Sequence, residues 1–110
     1  MPEGHIRGLS QHYADGLERM EIWIDRNLAN SLPNRDNQRI SISLKIGETI
    51  YHAGIRSTPA NVYVWICPDL INEFGKRVSL ASVLANNGFL KNQTVKLDVV
   101  GKIVEIKPGI

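Results

Sequence analysis

Cysteine is almost missing from this chain of 110 residues: Cys67 stands alone. An intramolecular disulfide is therefore impossible, and a thiolate-rich zinc site is excluded. Residues 1–7 contain no apolar stretch of the kind a secretory leader needs, so a cytoplasmic location is expected. Long apolar runs are absent too. The uncharged segment 57–68 is twelve residues, broken by Pro59 and Asn61, too short and too interrupted to span a bilayer. Neither a G-x-x-x-x-G-K-[ST] phosphate loop nor a G-x-G-x-x-G fingerprint occurs. No sign of charge dominates. Thirteen Lys+Arg against eleven Asp+Glu leave a formal +2, which neither announces nor excludes a nucleic-acid partner. Hydrophobic residues at 43% and charged residues at 22% are the ordinary mix of a globular domain, and the length fits one.

What is present is mostly strand. Residues 40–46 alternate without exception, with Ile40, Ile42, Leu44 and Ile46 opposite Ser41, Ser43 and Lys45. A two-residue gap, Gly47-Glu48, leads into a second strand over 49–56, so the pair reads as a hairpin. Residues 61–67 form a strand apolar on both faces, which Pro68 ends. Residues 94–100 and 103–107, joined by Gly101-Lys102, predict a closing hairpin, and 20–25 predicts a first strand rich in Ile and Trp. Ser79 is placed to cap a helix over 80–86, whose Leu80, Val83 and Leu84 make one apolar stripe ahead of Asn87-Gly88. Residues 68–77 read as irregular, with a turn of helix around 70–74. Residues 1–19 read as an arm or a short helix, leaving 20–110 as the domain proper. Six short strands and a small helix predict a mainly β fold, a small open or closed antiparallel barrel plugged by that helix.

Residues able to carry chemistry are few. His5 and His12 are seven apart with no third ligand beside them, so neither a metal nor a cofactor is expected. His52 and Arg56 share a parity on one strand near Thr58, and a small ribonuclease built on them is one alternative. Cys67, at the end of an apolar strand, reads as a buried small hydrophobe. Tyr63 and Trp65 share a face and suit either a stacking platform or a second core layer beneath the N-terminal segment. A docking surface on these rings would make the chain a non-catalytic protein–protein adaptor.

The polar loop 26–39 holds Arg26, Asn27, Asn30, Asn34, Arg35, Asp36, Asn37, Gln38 and Arg39. Arg reads guanine and Asn or Gln reads adenine in bidentate fashion, and all of them also hold phosphates. The same residues suit an ordinary hydrophilic loop, where Asn and Asp serve turn geometry. Asn72, Lys76 and Arg77 form a second polar group, and Arg56, Ser57, Thr58 and Asn61 a third.

The order strand, long polar loop, hairpin, Val-Tyr-Val-Trp-Ile-Cys followed by Pro-Asp-Leu, polar connection, short helix and closing Gly-turn hairpin resembles the DNA-binding pseudobarrel group. That group includes the plant B-three domains and the effector-binding domains of some type II restriction endonucleases; the resemblance covers residues 20–107. It implies a non-catalytic chain that grips the major groove of double-stranded DNA with two arms, in a restriction–modification setting. A nuclease or other effector domain is a further implied partner, and no membrane is involved. Mapped onto this sequence, the arms are 26–39 and 69–77. Arg35, Asn37 and Arg39 would meet base edges. Arg56, Lys76 and Arg77 would hold phosphates, with Arg26, Asn34, Asn61 and Asn72 completing the set.

Overall fold

A computed structural model describes residues 3–109, without the side chains of residues 28, 30 and 31. Among the described residues there are nine strands: β1 (Glu3–His12), β2 (Glu18–Asp25), β3 (Ile40–Ile46), β4 (Thr49–Arg56), β5 (Tyr63–Ile66), β6 (Asp69–Ile71), β7 (Arg77–Ser79), β8 (Thr94–Val100) and β9 (Ile103–Pro108). A 3-10 turn, Arg26–Ser31, follows β2, and one helix, α1 (Leu80–Asn86), follows β7. Seven strands close on themselves in the order β3-β9-β8-β1-β2-β5-β4, since β3 pairs both β9 and β4. The chain is thus mainly β, a small closed barrel. Closure is antiparallel except at the β3–β9 seam, which is parallel. The β6–β7 hairpin hangs from the outer edge of β4.

Strict alternation sets the wall. Ile42, Leu44 and Ile46 of β3, Ile22 and Ile24 of β2, Val64 and Ile66 of β5, and Val95 and Leu97 of β8 all point into one core. Each such side chain contributes about 1.5–3 kcal/mol by leaving water. Helix α1 delivers Leu80, Val83 and Leu84 to the same core. Its start is fixed by Ser79, whose Oγ accepts a hydrogen bond from Ser82 N at 3.1 Å. No helix among the described residues is long and apolar enough to cross a membrane.

Three expectations fail. Of residues 1–19, residues 1 and 2 lie outside the described residues, but Glu3–His12 is neither an arm nor a helix. It is a barrel strand between β2 and β8, with Ile6 fully buried. Glycine hides its alternation. Gly4 faces the core, where an added Cβ would come within 2.8 Å of Ile22 and 3.0 Å of Leu97, so no side chain fits and no apolar signal is left to see. Residues 68–77 are not irregular and carry no helical turn around 70–74. They form the β6–β7 hairpin, with Gly75 at φ +78° in its turn. The strand expected over 61–67 is shorter, Tyr63–Ile66. Val62 lies outside it and is 78% exposed rather than sharing the buried face of Val64 and Ile66.

Candidate functional site

Loop 33–39 must return from the 3-10 turn to β3, and a web of side chains fixes its path. Asn34 Nδ2 donates to the carbonyls of Ala29 (3.2 Å) and Leu32 (2.9 Å). The Arg26 guanidinium reaches across, Nη1 pairing with Asp36 Oδ1 at 3.0 Å and Nε donating to the Asn61 carbonyl at 3.1 Å. Its Nη2 donates to the Thr58 carbonyl as well. Ser57, 1% exposed, donates from Oγ to the same Asp36 oxygen at 3.1 Å, and its carbonyl accepts from Asn37 N at 2.8 Å. The Arg26 hydrogen bond, then that of Ser57, holds the Asp36 carboxyl below the usual carboxylate range. Arg26, Asn34 and the Asn61 carbonyl therefore serve the loop's own shape.

Arg39 leaves this loop over the outer face of β4. It lies flat against Gly54, where an added Cβ would meet its Nε at 2.4 Å and its Cζ at 2.5 Å. Arg56 stands two residues on along the same face, beside Trp65 in the neighbouring strand. From the hanging hairpin come Asp69, Ile71 and Arg77. These residues with Cys67 line one cleft of about 350 Å³. The first arm, the end of β4 and the second arm thus converge on a single concavity, lined by three arginines and one carboxylate.

That carboxylate is shared. Asp69 Oδ2 lies 3.1 Å from Arg19 Nη2 and 3.8 Å from Arg77 Nη2. Arg19 also rests over the Tyr13 ring, 5.1 Å from its centroid. Sequence reasoning missed Arg19; its shared parity with Glu21 and Trp23 on β2 was the available signal. Tyr13 Oη donates to the Pro68 carbonyl at 2.6 Å, and burial, aided by Asp69, pushes its pKa up to about 12. A second concavity of about 450 Å³ adjoins the first through Asp69 and Arg77 and includes Tyr13 and Ser79. Burial also raises the Cys67 thiol, against the opposing pull of Arg56 and Arg39, so it stays a neutral group.

The remaining candidates divide. Arg35, Asn37 and Lys76 are exposed, and their side chains make no hydrogen bond or ion pair among the described residues. Asn72 instead builds the hairpin turn, its Oδ1 accepting from Phe74 N and Lys76 N, both at 2.9 Å. His52 and Arg56 do share the outer face of β4. Four residues of extended strand put their backbones about 13 Å apart, and no hydrogen bond links them among the described residues. Among those residues, too, no group of three or more His, Cys, Asp or Glu side chains could hold a metal.

Trp23, Tyr63 and Trp65 are not a core layer beneath the N-terminal segment, which lies beside them in the barrel wall. They occupy the outer face of β2 and β5, with Trp23 and Tyr63 stacked at 4.1 Å and Tyr63 edge-on to Trp65 at 5.8 Å. Trp23 Nε1 donates to Glu21 at 2.9 Å, and the Arg7 guanidinium lies 6.0 Å from the Trp23 centroid. The stack takes one face each of Trp23 and Tyr63.

Comparison with known proteins finds no matching family model, no matching curated protein and no matching solved structure, so the reading of this cleft rests on its own geometry.

Proposed function

We propose that this barrel is a non-catalytic binder of double-stranded DNA, related in architecture to the DNA-binding pseudobarrels, and that the cleft between its two arms holds the phosphate backbone. The observation that carries the reading is the convergence of Arg39, Arg56 and Arg77 from three separate segments on one concavity. Arginine offers five donors in a rigid fork that matches phosphate geometry, and three such forks around one cleft suit a polyanion. Arg35 and Asn37, exposed on the loop that leads to Arg39, would meet base edges, and Lys76, next to Arg77, would hold phosphate. The relation to restriction–modification systems, and a nuclease or effector domain as partner, belong to the same reading. The lone cysteine suits a cytoplasmic setting.

Fluorescence anisotropy with a labelled pool of random duplexes, run at two salt concentrations, tests it. Three phosphate contacts predict a log–log salt slope of about −3. Absence of binding at low salt rejects the reading. Tight binding that ignores salt rejects the phosphate-holding role of the cleft.

A further inference from the structure

The β6–β7 hairpin ends in an apolar ring that no contact on the protein explains. Phe74 is 78% exposed at the tip, whereas Trp23, Tyr63 and Trp65 are packed against each other and Tyr51 against the core. The tip is also stiff. Asn72 Oδ1 accepts from Phe74 N and Lys76 N, Asn72 N donates to the Lys76 carbonyl at 2.8 Å, and Gly75 N donates to the Asn72 carbonyl at 3.0 Å. Four hydrogen bonds within five residues fix the turn before any partner arrives. Two exposed cations, Lys76 and Arg77, follow the ring after Gly75, and Arg77 lines the arginine cleft at the hairpin's base.

Resting on the duplex-binding reading above, we infer that Phe74 is a wedge that inserts between stacked bases of the bound duplex and unstacks them. The hairpin extends at most about 10 Å beyond Ile71, three residues of extended chain, which matches a groove depth of about 8 Å. Arg77 can therefore sit at the phosphate rail while the tip reaches the base edges. Minor-groove proteins insert apolar side chains between base steps and so exchange lost stacking for a kinked, better-wrapped duplex; a braced apolar tip near two cations suits that role. A membrane anchor is the competing use of an exposed ring beside two cations; continuity of the hairpin with the three-arginine cleft favours DNA.

The test is a short duplex with 2-aminopurine in place of several adenines, whose fluorescence rises when stacking is lost, titrated alongside anisotropy. The wild-type chain should give a severalfold rise on binding. Phe74→Ala should bind with an unchanged salt slope and lose that rise, and Phe74→Trp should keep it. Duplex binding by the wild type with no rise, or an equal rise with Phe74→Ala, overturns the wedge and leaves the duplex reading standing. Loss of all binding by a folded Phe74→Ala also overturns it, because the ring would then be part of the grip. Failure of the wild type to bind duplex rejects both, and association with anionic vesicles that Phe74→Ala abolishes would assign the tip to a membrane instead.

Discussion

The loop 26–39 and the hairpin 69–79 both end on the same cleft, yet they use their polar residues in opposite ways. The loop is rich in Arg and Asn, but Arg26 and Asn34 are taken up in bracing its path, while Arg35, Asn37 and Arg39 point outward. Arg26 ties Asp36 to the carbonyls of Thr58 and Asn61, and Asn34 holds two carbonyls of the preceding turn. The hairpin looks poorer, diluted by Asp69 and Glu73. Its backbone ladder and the single side chain of Asn72 do the shaping, which leaves Lys76 and Arg77 outside. A segment without regular structure satisfies its backbone groups with water or with side chains, as this loop does through Arg26 and Asn34. A strand pair satisfies them with each other. Counting polar residues therefore overstates what a loop can offer a ligand and understates what a hairpin can.

Breaking the comparison at its largest effect means removing the shared cations. The triple variant Arg39→Ala, Arg56→Ala, Arg77→Ala should lose about a hundredfold or more in duplex affinity, and each single change should lower the salt slope by about 1. Its melting temperature should stay near that of the wild type, because none of the three anchors the core.

Arg26→Ala should do the reverse. It removes the donors of two carbonyls that brace the loop, so chemical denaturation should show a loss of about 1 kcal/mol, with little from the exposed ion pair. Lys76→Ala on the other arm should stay within about 0.5 kcal/mol of the wild type.

Gly54→Ala sharpens the first arm alone. The new Cβ occupies the seat of the Arg39 guanidinium, a flexible end that can swing away, so affinity should fall roughly fivefold, or about 1 kcal/mol. A crystal structure or a double variant with Arg39→Ala should show the two changes to be non-additive.

The smallest effect is one of pH. The Asp36 pKa is lowered in the folded chain, so its pair contributes fully above the ordinary carboxylate value of about 4 and fades as pH falls below it. Melting of wild type against Asp36→Asn should show an advantage at neutral pH that disappears in acid.

Much of the barrel was legible along the chain. The strands Ile40–Ile46, Thr49–Arg56 and Thr94–Val100 and the cap at Ser79 agree with the pattern of the residues, because alternation and capping are local. β1 was not legible, since glycine takes an inward position there and removes the apolar mark. Nor was the β6–β7 hairpin, whose strands of three residues are too short to show a period. In the cleft, Arg39, Arg56 and Arg77 were named from residue type, but Arg19, which pairs with the cleft's Asp69, was not. Nothing in composition distinguished Arg26, which braces the loop, from Arg39, which faces the cleft.

The sequence by itself determined the β3–β4 and β8–β9 hairpins, the helix and its cap, and most of the inward set of Ile, Leu and Val, because each depends on neighbours within a few residues. Only the tertiary structure decided that β3 and β9 would close the ring, that the N-terminal segment would be a wall, and that three distant arginines would meet. Those outcomes depend on which surfaces pack together once the core is buried. Burial is a property of the whole chain and not of any window along it.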